Sequence, residues 1–328
     1  MTQKLKWGIL ATGDIAAAFA SDLAYTDNGE CYAVGSRKIN SAQKFADKYG
    51  ATKAYGTYEA LVADPNVDII YVATPHPYHK ENVLTSLRAG KAVLCEKPFT
   101  VNANELDELI TYAKEKKLFL MEAMWTRFLP AIRQVRKWIK SNAIGEIRLV
   151  KADFGFRAPW LPEWRLLNPN LGGGALLDAG IYPVSFASMI FGANPEKVVS
   201  TAHIGETGVD EQFSILLSYS DGKVASLNGA IRVGLKNEAT IHGTKGYIQI
   251  PSFHNAREAS LHVAETVQTF KDNRESLGFR FEAEEAGRLI QNNQLESDIM
   301  SLDESAAIMK LMDNIRAQWG LTYPFESN

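Results

Sequence analysis

The sequence predicts an α/β protein with a doubly wound, mostly parallel sheet over residues 1–123 and an α+β domain with an open, mainly antiparallel sheet over residues 124–328. Three observations carry this prediction. Short apolar strands alternate with helices in the first part. A strand, a turn of small residues and a helix stand at its start. After about residue 146, strands follow one another with turn residues between them.

Composition narrows the classes of protein to consider. The net charge is -3, with 46% hydrophobic and 22% charged residues, which is typical of a soluble globular protein. The chain lacks the basic excess of a nucleic-acid-binding protein, and we expect no stretch near the ~20 apolar residues of a membrane span. Cys31 and Cys95 lie in apolar runs and indicate buried free thiols. Together with an N-terminus that lacks a signal-peptide core, they favour a cytoplasmic protein.

The elements of the first domain are predicted from apolar runs, helical stripes and capping residues. Strands are expected at residues 5–10, 30–36, around 54, 67–73, 91–96 and 118–121. Helices are expected after the first turn to about residue 24, at 40–49, from 58, at 79–89 and after Asn102. Gly50 suits a left-handed helix cap, and Asn102 with Glu105 three residues later resembles a capping pair.

The turn after the first strand has the composition of a pyrophosphate-binding loop. Its sequence is Ala11-Thr12-Gly13-Asp14-Ile15, and Ala11 stands where the dinucleotide fingerprint G-x-G-x-x-G/A has its first glycine. Glycine at position 13 lets the backbone approach a pyrophosphate, and the following helix offers free N–H groups to it. We therefore predict a dinucleotide-binding Rossmann domain, with an ordinary small-residue turn as the alternative.

The end of the second strand predicts which dinucleotide binds. An NAD enzyme places an acidic residue ~20 residues after the loop, where this chain has Ser36-Arg37-Lys38. A carboxylate there accepts from a ribose 2′-hydroxyl, whereas a planar guanidinium suits a 2′-phosphate. These residues predict NADP as the cofactor. A solvated basic pair at a strand end is the alternative.

The stretch from Val93 to Phe99 is an apolar strand that ends abruptly in Glu96-Lys97-Pro98. A lysine at the carboxyl end of a buried parallel strand lies where open α/β sheets bind ligands. Proline then stops the ladder because it has no N–H to donate. The strand is predicted to deliver Lys97 into a crevice, and an exposed strand-end lysine is the alternative.

A second loop follows the strand expected at residues 67–73. It contains Thr74, Pro75, His76 and His79, whose side chains are expected to face the cofactor crevice. The histidine spacing is compatible with a metal, but zinc needs three or four convergent ligands and none accompanies the pair at a usual spacing. We predict contact with the nicotinamide or ribose, and no metal.

The second domain is predicted from a change of periodicity. A helix at 128–140 leads to a long strand at 147–156 and a helix at 175–191. Further strands are expected at 198–203, 212–219, 224–233, 238–242 and 247–250, with hairpin turns at 220–223 and 243–246. Helices form the tail, with a capping box at Ser301 and Glu304 and the option of packing back on the first domain. An exposed apolar sheet face promotes association with other chains, so we expect this face to be covered.

Together these residues resemble the glucose–fructose oxidoreductase/inositol dehydrogenase/MocA family over nearly the whole chain. Two longer motifs, EAMWTRF at residues 122–128 and GGGALLDAGIY at residues 172–182, are similar to those of its dimeric dihydrodiol dehydrogenase branch. The resemblance implies that a second subunit covers the open sheet. It also implies that Trp164 and Arg165 touch the cofactor. Many relatives carry histidine where this chain has Tyr182.

Hydride transfer at an alcohol carbon needs a residue that takes or returns the alcohol proton. Tyr182 is a phenol, whose ionised form a nearby ammonium favours, and Lys97 supplies an ammonium. Asp178 stands four residues before Tyr182 and so shares its face of a helix. We predict Tyr182 as the proton carrier with Lys97 essential beside it, and the reverse assignment stays open.

The predicted substrate is a small molecule. Trp125, Phe154 and Phe156 flank the predicted domain junction and either form an apolar substrate wall or belong to the core. Arg127 either binds the cofactor or makes an interdomain pair. We predict an NADP-dependent oxidoreductase that acts on a CH–OH group of a sugar, polyol or cyclic trans-diol. The predicted protein partner is a second copy of the chain. The alternatives are an aldose or anhydro-sugar reductase working in the reducing direction, and an NADP(H)-binding sensor or regulatory protein without turnover.

Overall fold

The structure, a computed structural model, describes residues 4–326. The chain forms two compact units. The first comprises the residues up to Phe128 together with Arg274–Ser305, and the second comprises Leu129–Asn273 together with the residues from Ala306 onward. The first unit is therefore discontinuous in sequence.

The first unit contains a sheet of six parallel strands. They are β1 (Leu5–Leu10), β2 (Gly29–Gly35), β3 (Lys53–Tyr55), β4 (Ile69–Val72), β5 (Ala92–Glu96) and β6 (Leu120–Ala123). Their order is β3-β2-β1-β4-β5-β6, which is that of a Rossmann sheet. The connecting helices are α1 (Asp14–Leu23), α2 (Ile39–Tyr49), α3 (Tyr58–Val62), α4 (His79–Arg88) and α5 (Ala103–Lys116). The predicted doubly wound parallel sheet is confirmed.

The local signals that set these elements act as predicted. All four residues of β4 are buried, as expected where helices cover both faces of a parallel sheet. Gly50 closes α2 with a left-handed φ of +74°. The side chain of Asn102 accepts from the amide of Glu105 at 3.0 Å and caps α5.

The returning segment Arg274–Ser305 completes the first unit. It contains α8 (Arg280–Gln291) and the start of α9 (Leu302–Trp319). Asp22 at the end of α1 accepts from the amides of Leu277 at 2.8 Å and Gly278 at 2.6 Å. These bonds satisfy backbone donors just before α8 and tie the segment to the sheet domain.

The second unit is built on an eight-stranded mixed sheet. Its strands are β7 (Ile147–Gly155), β8 (Lys197–Ile204), β9 (Asp210–Ser218), β10 (Val224–Ala230), β11 (Ala239–Gly243), β12 (Gly246–Ile250), β13 (Glu258–Val263) and β14 (Thr266–Lys271). The order is β14-β13-β12-β11-β7-β10-β9-β8, and of the paired strands only β7 and β10 run parallel. The predicted open, mainly antiparallel sheet is confirmed. Both predicted hairpin turns join antiparallel neighbours, whereas β13 and β14 were not predicted.

Helices pack on this sheet, and one of them departs from the prediction. α6 (Pro130–Lys140) contacts β13 and β14, and α7 (Ile181–Phe191) contacts β7 and β10. The helix expected from residue 175 begins as a π-turn at Leu176–Gly180 and becomes α-helical only at Ile181. The wider turn changes which side chains share a face, because a π-helix bonds each residue to the fifth one along.

One face of the sheet carries exposed apolar residues. In β9 the side chains alternate, so that Phe213, Ile215 and Leu217 are buried while Leu216 is exposed. Val199 of β8 lies opposite Leu216 in the register and is also exposed. The cover by a second subunit stays a prediction.

Two expectations from composition need correction. In the described part of the chain, the helical segment Pro169–Phe191 has the length and apolarity of a membrane span, with a mean hydropathy of 1.4 over its best window. Of that window 83% is buried inside the protein, as in a core helix. Cys95 is buried as expected, but Cys31 is partly exposed, and both are free thiols.

Gly174 gives a test of this packing. Its φ is +119°, and a Cβ there lies 2.1 Å from Oδ1 of the buried Asp210. We expect Gly174→Ala to lower the free energy of unfolding by about 3 kcal/mol, because backbone strain and overpacking add. Gly222→Ala is the control, since Gly222 has a φ of +71° but no described atom within 4 Å. Urea denaturation followed by tryptophan fluorescence compares the two, and equal midpoints for both variants contradict the expectation.

Candidate active site

The turn between β1 and α1 is shaped for a phosphate group. The amide of Ala11 donates to the carbonyl oxygen of Gly35 at 3.1 Å, which holds the turn against the end of β2. Ala11 has a φ of +108°, a conformation that favours glycine and that the first fingerprint glycine normally supplies. The turn therefore keeps the backbone shape of the fingerprint although its first residue is alanine.

The space beside this turn fits a pyrophosphate. No atom of the described residues lies within 4 Å of a Cβ built on Gly13, which precedes α1. Among the described residues no side chain caps the start of α1, whereas Thr57 caps α3 and Asn102 caps α5. Open space and free amide donors at a helix N-terminus are what an anion requires. Ala11, Thr12, Gly13, Asp14 and Ile15 line the turn as predicted.

The end of β2 presents basic side chains beside that turn. Ser36 is buried and donates its amide to Tyr55 in β3, while Arg37 and Lys38 are exposed. Lys38 precedes α2, and no described side chain caps that helix. No acidic residue stands among positions 36–40. The cations and the uncapped amides favour negative charge at this position.

His79 holds two loops of the first unit together. The ring is fully buried, with Nε2 2.7 Å from the Thr74 carbonyl oxygen and Nδ1 2.9 Å from the Pro98 carbonyl oxygen. Burial, assisted by the charge of Lys97, lowers its pKa to about 4 even though both carbonyls favour protonation. A neutral ring donates from one nitrogen only. His79 thus positions the loops after β4 and β5, and this differs from the cofactor contact predicted for it.

Thr74, Pro75 and His76 belong to the same loop after β4 that leads to His79. Thr74 and His76 are almost fully buried, and the rings of His76 and His79 meet edge to face at 5.8 Å. Pro75 is extended, with ψ of 153°, and sets the start of the short turn at His76–Tyr78. No group of three or more His, Cys, Asp or Glu side chains among the described residues could hold a metal ion.

Glu96 and Lys97 end β5 as predicted. Glu96 is buried, and its Oε1 accepts a short hydrogen bond from the Tyr71 hydroxyl of β4. Its Oε2 accepts from the amide of Lys97 at 3.2 Å. The Lys97 side chain is partly exposed and close enough to His79 to act on its charge. The buried carboxylate therefore fixes the backbone from which the lysine projects.

Glu282 of α8 faces the same interior. It is fully buried, and neither of its carboxyl oxygens has a hydrogen-bond partner among the described residues. Burial first, and then the charges of Glu96, Asp22 and Glu122, raise its pKa well above the ordinary range. Burial and the neighbouring carboxyl groups thus favour the protonated form of Glu282 over the charged form.

Glu122 and Arg127 belong to a second buried set. Glu122 Oε2 accepts from Ser305 Oγ at 2.7 Å, and burial raises the pKa of Glu122 to about 7. Arg127 is buried, and its Nη2 donates to Glu304 Oε1 at 2.8 Å. This ion pair ties the residues after β6 to the start of α9 within the first unit. It supports neither the cofactor contact nor the interdomain pair predicted for Arg127.

Trp125, predicted either to form a substrate wall or to belong to the core, is part of an aromatic pair in the first unit. Trp125 is buried and stacks on Phe279, with ring centroids 4.5 Å apart. Phe279 immediately precedes α8 and was not predicted, because nothing in its local sequence distinguishes it from a core residue. Only the return of residues 274–305 to this unit brings it to Trp125.

The second unit gathers Tyr182, Phe154 and an unpredicted histidine. Phe154 of β7 stacks on His254 with centroids 4.1 Å apart and meets Tyr182 edge to face at 5.2 Å. The rings of Tyr182 and His254 lie 6.1 Å apart, and Phe156 lies 5.9 Å from Phe154. These aromatic rings make one wall around the phenol. His254 follows a positive-φ serine outside regular strands, so no periodicity singled it out.

Asp178 has a partner that the sequence did not reveal. Its Oδ1 accepts from Arg165 Nη1 at 2.6 Å, and the carboxylate is buried while the arginine is partly exposed. Trp164 is 51% exposed on the loop before them. An ion pair with one buried member orients the carboxylate, so Arg165 is placed to hold Asp178 rather than only a cofactor.

The predicted site residues fall in both units. The cofactor residues, Lys97 and Trp125 belong to the first, while Asp178, Tyr182, Phe154, Phe156, Trp164 and Arg165 belong to the second. The pairing of Lys97 with Tyr182 stays a prediction.

Family models match both units. Residues 5–124 match the model described as "Oxidoreductase family, NAD-binding Rossmann fold", and residues 132–249 match the "GFO/IDH/MocA C-terminal domain". Proteins named trans-1,2-dihydrobenzene-1,2-diol dehydrogenase are similar over almost the full length. That from Mus musculus is 41% identical over 98% of this chain and 98% of its own, and that from Xenopus tropicalis is 39% identical over 97% and 99%. The chain belongs to the GFO/IDH/MocA oxidoreductase family.

Solved structures of other oxidoreductases are similar to this GFO/IDH/MocA chain. A 3-ketoreductase from Actinomadura kijaniata, solved with NADP and TDP-benzene, superposes with a TM-score of 0.86 at 26% identity, over 96% of this chain and 98% of its own. An aldose–aldose oxidoreductase from Caulobacter crescentus, solved with glycerol, has a TM-score of 0.87 at 23% identity, over 97% and 98%. The second supports the fold alone. The predicted family and fold class are confirmed.

Glu282 predicts a pH-dependent stability for this family member. Its folded pKa is raised above the ordinary 4.5, so the folded state keeps a proton that the unfolded state loses, and stability falls as pH rises above about 4.5. Glu282→Gln removes this dependence. The free energy of unfolding of the variant, relative to that of wild type, should therefore increase by up to ~1.4 kcal/mol per pH unit above pH ~4.5. Thermal unfolding from pH 4 to pH 8 measures it, with exposed Glu115→Gln as control. An advantage that is constant with pH refutes the prediction.

Proposed function

We propose that this protein is an NADP-dependent oxidoreductase that transfers hydride between the nicotinamide and a CH–OH group of a small molecule, with cyclic trans-diols as the first substrate class. The observation that carries the proposal is the similarity, at 38–41% identity over 97–98% of the chain, to proteins named for a trans-1,2-diol substrate. Sugars and polyols have the same reacting group and stand as the second class. The protein is proposed to act in the cytoplasm.

The choice of NADP rests on the end of β2. Arg37 and Lys38 offer two exposed cations there, and the uncapped start of α2 adds amide donors. NAD recognition instead needs a carboxylate, which this position lacks. The similar 3-ketoreductase was solved with NADP, which supports the same choice. Residues 11–15 would hold the pyrophosphate.

The proposed chemistry uses three side chains of this chain. A bound nicotinamide supplies the hydride acceptor or donor. The ionised phenol of Tyr182 would take the proton from the substrate alcohol, and the neutral phenol would return it in the reverse direction. The positive charge of Lys97 would favour the ionised form. Arg165 holds Asp178 at 2.6 Å, and Asp178 orients a substrate hydroxyl or the lysine. The buried Glu96 fixes the Lys97 backbone through the 3.2 Å amide contact.

The aromatic walls support an apolar or ring-shaped substrate. Trp125 and Phe279 form one pair in the first unit, and Phe154 and His254 form another beside Tyr182 in the second. Flat rings bind the face of a sugar or of an arene diol by the same contacts. These walls therefore restrict size and shape without choosing between the two substrate classes.

Two alternatives remain and are separated by experiment. The 3-ketoreductase similarity favours a carbonyl reductase working from NADPH, which is the same site in the reverse direction. A sensor that binds NADP(H) without turnover is the other, and the buried Asp178 carboxylate held by Arg165 disfavours it, because cofactor binding alone does not need such a group.

The test of the function is steady-state turnover by the purified protein. NADP and NAD are each offered with trans-cyclic diols, polyols and aldoses, and NADPH with the corresponding ketones. We expect NADP reduction with a trans-diol and its loss in Lys97→Met, with circular dichroism and NADPH binding of the variant showing an intact fold. No turnover in either direction, together with tight NADPH binding, favours the sensor. Full activity in the lysine variant contradicts the role given to Lys97.

Arg37 predicts the preference between the two dinucleotides. Arg37→Ala should raise the Kd for NADPH by about 10- to 100-fold and leave the Kd for NADH nearly unchanged, because a charge-assisted contact to phosphate is worth roughly 1.5–3 kcal/mol. Quenching of protein fluorescence measures both constants. Lys48→Ala is the control, since Lys48 is an exposed cation at the other end of α2. Equal weakening of both dinucleotides removes the 2′-phosphate argument.

A further inference from the structure

The helix that carries Asp178 and Tyr182 starts at an unusual point in the fold. The three glycines at residues 172–174, here called the glycine turn, lead directly into the π-turn Leu176–Gly180. Asp178 lies within the π-turn, and Tyr182 lies in the first turn of α7. The orientation of both side chains therefore depends on how the backbone enters this helix.

Asp210 holds the first amides of the π-turn. It is the first residue of β9 and is fully buried. Its Oδ2 accepts from the amide of Leu176 at 2.6 Å. Burial raises the pKa of Asp210 to about 7, although the amides of Leu176 and Ala175 and the charge of Arg316 favour the ionised form. A carboxylate is thus kept inside the protein as the acceptor for backbone donors that the helix itself leaves unpaired.

Tyr323 holds the glycine turn from the other side. Its ring is fully buried, and its hydroxyl donates to the carbonyl oxygen of Gly173 at 2.8 Å. The amide of Tyr323 donates to Glu326 Oε2 at 2.9 Å, and that carboxylate accepts from Arg316 Nη1 at 2.8 Å. The Arg316 guanidinium lies 5.0 Å from the centre of the Tyr323 ring. Charge-assisted bonds therefore hold the segment after α9 in the position from which Tyr323 contacts the glycine turn.

The glycine turn leaves no room to shift. A Cβ on Gly174 lies 2.1 Å from Asp210 Oδ1, and one on Gly173 lies 2.8 Å from the backbone oxygen of Arg165. The amide of Gly174 donates to Leu166 at 2.9 Å. The segment that carries Arg165, the partner of Asp178, is thus packed on the same turn.

We propose that Asp210 and Tyr323 are positioning residues of the active site, which fix the glycine turn and the π-turn and so set the orientation of Asp178 and Tyr182. The inference rests on the proposed function for its kinetic consequence. It extends that function because neither residue belongs to the reacting groups, and each acts only through the backbone it holds.

The variants for the test remove one hydrogen-bonding group at a time. Tyr323→Phe deletes the bond to Gly173 and keeps the ring, and Asp210→Asn removes the charge with little change in shape. Tyr219→Phe is the matched control in the same unit, because the Tyr219 side chain is also buried and its hydroxyl has no hydrogen-bond partner among the described residues. Asp64→Asn is the matched control for the buried carboxyl, because Asp64 is also buried, accepts from a backbone amide (that of Asn66 at 2.9 Å) and is not among the predicted site residues.

The kinetic arm separates positioning from general damage. In Tyr323→Phe and Asp210→Asn we expect kcat to fall about tenfold and the Kd for NADPH to stay unchanged. A tenfold loss is what results when the free energy of one hydrogen bond is added to the activation free energy. Both controls should keep wild-type kcat. A wild-type kcat in folded Tyr323→Phe and Asp210→Asn overturns the proposal. So does a parallel loss of kcat and of NADPH binding.

The exchange arm is independent of turnover. Hydrogen–deuterium exchange with mass spectrometry should show faster exchange of the amides at residues 175–182 in Tyr323→Phe and Asp210→Asn, and not in Tyr219→Phe. Unchanged exchange overturns the proposal even if kcat falls. A wild-type protein with no turnover on any substrate refutes the proposed function instead, and the exchange of these amides then decides by itself whether the two residues hold the turn.

Discussion

Because all six strands of the first unit's sheet run in one direction, the loops of this unit that carry predicted cofactor residues leave the sheet at the same edge. The pyrophosphate turn, the basic end of β2 and the Lys97 loop are neighbours for this reason alone. Two contacts make the arrangement rigid. The Ala11 amide bonds to Gly35 across β1 and β2, and the His79 ring lies between the carbonyls of Thr74 and Pro98. Strand direction thus determines where the site is, and these contacts determine its shape.

Buried carboxyl groups lie behind this edge of the sheet, and each differs in how its burial is compensated. Glu96 is tolerable inside because the Tyr71 hydroxyl and the Lys97 amide both donate to it. Glu282 has no such donor among the described residues, and burial and its neighbours favour its protonated form. The interior beneath Lys97 consequently carries less negative charge than its number of carboxyl groups suggests. Burial and mutual repulsion, rather than hydrogen bonding, make this difference.

More of the fold than of the candidate site could be predicted from the sequence. Continuous apolar runs, Gly50 and Asn102 predicted the parallel sheet and its helix ends, because these signals act within a few residues. It could not predict that Arg127 pairs with Glu304, since that contact joins residues 177 positions apart. Phe279 was missed because it reaches Trp125 only through the chain's return to the first unit. In each failure the deciding contact is non-local, and periodicity carries no information about it.

The motif at residues 172–182 shows how packing and chemistry share one short stretch. Gly173 and Gly174 have no room for a side chain, because the backbone of residues 165–168 and the Asp210 carboxyl group occupy the space that it would take. These glycines precede the π-turn, which contains Asp178, and α7, which contains Tyr182. The sequence by itself does not distinguish the two sets. The structure separates them, because Gly174 contacts the interior of its own unit, whereas Tyr182 contacts the aromatic wall of Phe154 and His254.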